Sequence, residues 1–149
     1  FMKNKTIAAW LAFIGGPIGL HRFYLYGWGD LLGWLLPIPT VLGLYGVYRL
    51  KAFGVDDIGS WVLLPVFGFM IAGGALTAIV YGLKSPEQWN AKFNPRANPE
   101  ASAGQTNWFT IGAVVLSMFI GGIALIGGIA MTMQHYFEYQ IVEGRKISQ

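Results

Sequence analysis

Few side chains in this sequence could do chemistry, and they gather most densely at His21, Arg22, Phe23 and Tyr24, with Asp30 shortly after. A guanidinium offers two parallel N–H donors to a carboxylate, and an aspartate at the mouth of a helix can accept from the first free backbone N–H groups. Arg22 and Asp30 flank a short glycine-containing turn, so they read either as an ion pair that locks two helices and presents His21, Phe23 and Tyr24 to a partner, or as two unrelated interfacial charges. The other candidates carry less. His135 shares no ligand spacing with His21 or with an acid, so no metal site is read. Asp56 and Asp57 are adjacent acids at a turn, read as solvated or as a cap on a helix opening at Ile58. Among the serines only Ser117 falls inside an apolar run, without a histidine or lysine to activate it. Its role is read as a hydrogen bond to its own helix or to a neighbouring one. No phosphate-binding glycine fingerprint is present. No catalytic residue and no cofactor are read, and the chain is taken as non-enzymatic.

The elements that must position these groups are apolar. Of 149 residues, 54% are hydrophobic and 11% charged, against roughly 25% charged in an average globular chain. The net charge of +3 comes from scattered basic residues, not from a nucleic-acid-binding stripe. With no cysteine, disulfides and thiolate chemistry are excluded. Uncharged runs at residues 6–20, 31–48, 58–83 and 108–133 predict an all-α integral membrane protein of four transmembrane helices. The first run is short and loosened by Gly15, Gly16, Pro17 and Gly19; no small-x-small cleavage site follows it, so it is read as a retained span. Pro37 and Pro39 predict a kink or break in the second, leaving carbonyls around residues 33–36 in need of partners. Tryptophans near the run ends read as an interfacial belt.

This gives a helical hairpin with linker at residues 5–57, a second helix pair at 58–133 and a polar tail at 134–149 that can prolong the last helix. The stretch 84–107, with three prolines, reads as a solvated loop. Internal repetition is not read, because the proline-bearing second and third spans are not flanked alike. Gly74 and Ala78, then Ala113, Ser117 and Gly121, then Ala124 and Gly128, put small residues on helix faces. They are read as helix-packing positions, within the chain before between chains. Basic residues are slightly more numerous at the ends and around residue 50 than in the other loops, which puts both termini in the cytoplasm and residues 84–107 across the membrane.

With the first two runs placed, residues 5–57 resemble the TM-two domain, two membrane helices joined by a short turn with an Asp/His-Arg-Phe motif. The matching residues are Lys5 with Thr6-Ile7-Ala8-Ala9, then Gly15-Gly16, then Gly19-Leu20-His21-Arg22-Phe23-Tyr24, with Gly27, Gly29 and Gly33 following. The histidine form looks like the bacterial branch, of which four-span members exist, and implies a bacterial cytoplasmic (inner) membrane. Many members carry an aspartate near the end of the second helix, where this chain reads Tyr48-Arg49-Leu50.

The function read from this is interaction: an accessory or scaffolding subunit of a larger membrane complex, or a homo-oligomer. Its partners are the lipid bilayer and either another membrane protein or a second copy, not nucleic acid. The alternative is a small ion or solute transporter or channel using the broken second span and the His-Arg motif.

Overall fold

The computed structural model describes residues 2–149. Among them there are helices and no strands: α1 (Lys5–Gly15), α2 (Leu20–Tyr26), α3 (Leu31–Leu35), α4 (Pro37–Phe53), α5 (Ile58–Leu83), α6 (Pro86–Phe93) and α7 (Trp108–Ile147), with 3-10 turns at Gly16–Ile18 and Ser102–Gly104. Most helix starts are written in the sequence. Asn4, Asp30, Asp57, Ser85 and Asn107 each accept from backbone N–H groups of the helix that follows, occupying donors that a helix leaves free in its first turn.

Three stretches are long and apolar enough to cross a membrane: Leu31–Phe53, Ile58–Leu83 and the helix within Ser102–Ile147. The α5 bounds match the third apolar run. The first run behaves otherwise. After α1, the 3-10 turn carrying Pro17 and a left-handed Gly19 (φ 78°) reverses the chain, and α2 returns to where α1 began. There the Lys3 ammonium donates to the Leu25 carbonyl, and the Asn4 N–H donates to the Tyr24 hydroxyl at 2.9 Å. So the first run is half of a folded-back helical pair, and the expected fourth span is not found. Its length of 11 residues, about 16 Å of helix, explains why: α1 covers roughly half of a hydrocarbon core.

The tip of this pair rests on α5. A Cβ at Gly16 would lie 2.6 Å from the Gly74 Cα, so the backbones touch where both residues lack a side chain. The Thr40 hydroxyl donates to the Pro17 carbonyl at 2.5 Å, tying the tip to α4 as well. The helical ladder of the second run is interrupted at Leu36, between α3 and α4, although Leu36 keeps right-handed helical angles (φ −61°, ψ −37°). The Leu36 carbonyl accepts from Thr40 Oγ1 at 3.3 Å, so the same hydroxyl also bonds back to its own helix.

Helix α5 is the centre, packed by α1, α4 and α7. The small residues predicted as packing positions serve this interior. Ala78, Ala113, Ser117, Gly121 and Gly128 are buried; a Cβ at Gly121 would meet Ala75 Cβ at 2.5 Å, and the Ala124 carbonyl sits 3.1 Å from a Cβ built at Gly68. Ser117 departs from expectation. Its Oγ is buried with no hydrogen-bond partner among the described residues.

Residues 84–107 are an ordered cap more than a solvated loop. Helix α6 opens with a reciprocal Ser85–Gln88 capping box and buries Trp89 completely. Trp89 Nε1 donates to the Lys3 carbonyl at 2.8 Å, and the Asn94 side chain accepts from the Lys3 N–H at 2.7 Å and donates to its carbonyl at 3.0 Å. Lys5, fully buried, donates to the Lys84 carbonyl at 2.7 Å and to Thr106 Oγ1 at 2.5 Å. The start of the chain therefore lies against residues 84–107. Helix α7 leaves from that same end and stacks His135 on Trp61 (centroids 5.6 Å apart) at the other. Residues 3–5 and His135 therefore lie toward opposite ends of the bundle, where the expectation had both termini on one side. A charge count with a small margin had no access to the fold-back that moves the N-terminal segment over.

Candidate functional site

Arg22 and Asp30 form the expected pair. Arg22 Nε donates to Asp30 Oδ2 at 2.5 Å and Nη2 to Oδ1 at 3.1 Å, while Oδ2 accepts from the Gly33 N–H at 2.8 Å. One carboxylate thus holds α2 and caps α3 together. The Arg22 hydrogen bond, then the Gly33 N–H, hold the Asp30 carboxyl below its ordinary range. The guanidinium also lies over the Tyr26 ring, 4.7 Å from its centroid.

The rest of the motif makes contacts of its own. Phe23 is stacked on Trp28 and meets Trp34 edge-on, both at 5.1 Å between centroids. Tyr24 accepts from Asn4. His21 is buried beside Tyr81, with ring centroids 6.0 Å apart. These side chains pack within the first fold-back, His21 buried and Phe23 and Tyr24 half-buried.

The same staple occurs a second time. Arg49 Nε donates to Asp57 Oδ2 at 2.9 Å and Nη2 to Oδ1 at 2.8 Å, and Oδ2 accepts from the Ser60 N–H at 3.0 Å. Arg49 lies over Phe53 (5.1 Å) as Arg22 lies over Tyr26. Each turn holds a glycine at positive φ, Gly27 at 84° and Gly54 at 83°, a conformation that side-chain-bearing residues rarely adopt. Each is closed by an indole N–H: Trp34 to the Trp28 carbonyl at 2.7 Å, Trp61 to the Val55 carbonyl at 2.5 Å. The shared pattern is Arg-x4-Gly-x2-Asp-x3-Trp, visible in the sequence once turn residues are aligned in place of prolines. Arg49 hydrogen bonding, then Ser60, depress the Asp57 carboxyl far below the usual carboxylate range. The first staple sits at the α6 end, where Tyr26 meets Phe93; the second sits at the far end, beside His135.

A groove of about 470 Å³ lies between the fold-back, α3–α4 and α5, within the range of small-ligand sites. His21, Arg22 and Tyr81 form its polar end, and Leu35, Pro39 and Met70 belong to its apolar walls. Tyr81 and Met70 were not singled out from sequence; a lone phenol in an apolar helix was the available signal. Among the described residues no three His, Asp or Glu side chains are grouped to hold a metal.

Comparison with known protein families, with characterised proteins and with solved structures finds no match to this chain.

Proposed function

We propose that this chain is an integral membrane protein that acts by interaction, as an accessory or scaffolding subunit of a membrane complex or as a homo-oligomer. The observation that carries the reading is the reach of α7. It has 40 residues, about 60 Å of helix, roughly twice a hydrocarbon core. Past His135 it projects beyond the second staple, with Tyr136, Phe137, Tyr139, Ile141 and Val142 exposed. A projecting helix with that many bare aromatic and branched side chains supplies a partner with area to bury. The Gly-x-His-Arg-Phe-Tyr string adds the resemblance to the TM-two domain and, with it, a bacterial inner membrane.

The test is deletion of residues 134–149 from the tagged protein, followed by mild-detergent extraction and sizing. The full chain is expected in a larger assembly, hetero- or homomeric, which the deletion abolishes while insertion persists. A full chain that is monomeric and alone in the membrane extract would sink the reading.

A second reading, a small ion or solute transporter, is favoured by one observation: a folded-back helix pair beside a groove, between two like staples at opposite ends. Folded-back or broken helices and repeated halves are recurrent in transporters. Solute-dependent flux by the purified protein in vesicles would select it.

A further inference from the structure

We propose that the groove between the fold-back, α3–α4 and α5 holds one acyl chain of an anionic phospholipid, its phosphate against His21, Tyr81 and Arg22. The inference rests on the membrane placement proposed above.

The polar end of the groove is built for an acceptor and lacks one. His21 is only 5% exposed and its Nδ1 has no hydrogen-bond partner. An unpaired buried polar group costs free energy that a partner restores. Tyr81 is 8% exposed; its ring packs on His21, Trp89 and Phe93, and its hydroxyl makes no hydrogen bond among the described residues. Arg22 spends Nε and Nη2 on Asp30, and its Nη1 donates to nothing among them. Imidazole, phenol and guanidinium thus line one groove with hydrogen-bond donors to spare. Asp30 is the carboxylate facing this group, and its oxygens are already taken up by Arg22 and Gly33. A phosphate monoester or diester, which only accepts, satisfies these donors; a choline headgroup brings a cation beside Arg22.

The remainder of the groove calls for hydrocarbon. Leu35, Leu36, Pro39 and Met70 line it, and the Gly16–Gly74 contact closes its floor. Leu32 and Leu35 are also 54% and 45% exposed, so it opens sideways along α3. A lateral opening admits one chain of a two-chain lipid while the other stays in the bilayer. An enclosed tunnel, the shape suited to a free fatty acid, is not what these residues make. The Trp28 and Trp34 rings beside the first staple place this end of the molecule at headgroup depth, so a phosphate reaches Arg22 without being dragged into the core.

The experiment uses the full chain in detergent micelles, titrated with dioleoyl phosphatidylglycerol, dioleoyl phosphatidylcholine or oleate, with thermal midpoint and native mass spectrometry as readouts. Phosphatidylglycerol is expected to bind at one saturable site and raise the midpoint, and phosphatidylcholine to do neither. Tyr81→Phe, which keeps the ring packing, weakens phosphatidylglycerol about tenfold, the value of one hydrogen bond to a charged group. His21→Gln is a second variant should the first fold poorly. A photoactivatable acyl chain on phosphatidylglycerol is expected to label the Leu35–Pro39 and Met70 peptides of the unaltered protein. Equal protection by phosphatidylcholine, preference for oleate, labelling elsewhere, or unchanged affinity in both variants overturns the assignment. Recovery of the protein without detergent instead removes the membrane placement itself, a distinct failure.

Discussion

Asp57 grips Arg49 through the same atoms by which Asp30 grips Arg22: Nε to Oδ2, Nη2 to Oδ1, with Oδ2 shared by the backbone N–H three residues on. Helix α4 belongs to both units, following one staple and preceding the other. The bundle is therefore pinned at both ends by a device that ties two helices and caps the second. Because the two staples are far apart, double-mutant cycles should couple within each and not between them. Arg22→Gln with Asp30→Asn, and Arg49→Gln with Asp57→Asn, are expected to lose less together than the sum of the single losses. Arg22→Gln with Asp57→Asn is expected to be additive. Thermal midpoints in one detergent decide it.

The same pairs set an acid limit. Both carboxyls have folded-state pKa values held down by their arginines, so the stability they contribute is complete above the unfolded value of about 3.9. It is lost as pH falls from there through the lower folded values. The thermal midpoint should stay level from neutrality to about pH 5 and decline below about pH 4. Asp57→Asn should start lower at neutrality and decline less steeply. A parallel decline in that variant would remove the staple as the cause.

Contact between the fold-back and α5 depends on two missing side chains. A Cβ on Gly16 would sit 2.6 Å from Gly74 Cα, and one on Gly74 would sit 2.8 Å from the Ala12 carbonyl. Gly74→Val is expected to cost about 1–3 kcal/mol by overpacking, read as a drop in midpoint and faster proteolysis around residues 16–20. Gly73→Val, whose Cβ meets nothing within 4 Å, serves as the neighbouring control and should change little.

What could be read without a structure divides along physical lines. Local signals were legible: the Ile58–Leu83 helix, the Asp57 cap, the Arg22–Asp30 pair and the small-residue faces of α5 and α7 all follow from neighbours in sequence or from helical period. The fold-back was not. A run of apolar residues looks alike whether it crosses a membrane or reverses at Pro17 and Gly19, and the reversal is settled by contacts to Gly74 and Thr40, far along the chain. The burial of Lys5 carried no sequence signal, because the partners that enclose it, Lys84 and Thr106, are distant in sequence. The α6 helix had a local signal, Ser85 followed by Gln88, which three prolines obscured. The groove needed three separate elements side by side, so Tyr81 carried no meaning alone.

Cap helix α6 clamps the beginning of the chain through one fully buried indole. Trp89 packs on Phe93 (4.3 Å between centroids) and Tyr81 (5.6 Å) and donates to Lys3. Trp89→Ala should cost about 3–5 kcal/mol. Trp89→Phe keeps most of the packing and leaves the Lys3 carbonyl to Asn94 alone, so it should cost only about 0.5–1.5 kcal/mol. Amide hydrogen exchange should rise first over residues 2–9 in both. Unchanged exchange there would show that the clamp is incidental.

The opposed ends of the bundle give the last prediction. Asn94 joins the N-terminal segment to residues 84–107 through both polar groups of the Lys3 backbone, and α7 carries the tail to the far end past Trp61. If α3–α4, α5 and α7 are the spans, the expected outcome is that Met2 and Glu100 face one compartment and Ser148 the other. The chain has no cysteine, so single cysteines at these exposed positions can be read without background. An impermeant thiol reagent applied to intact cells should label Met2→Cys and Glu100→Cys alike and Ser148→Cys oppositely, with all three labelled after permeabilisation. Which pair reacts outside fixes the orientation. Matching behaviour of Met2→Cys and Ser148→Cys, against Glu100→Cys, would restore a four-span arrangement and dismiss the fold-back of α1 and α2.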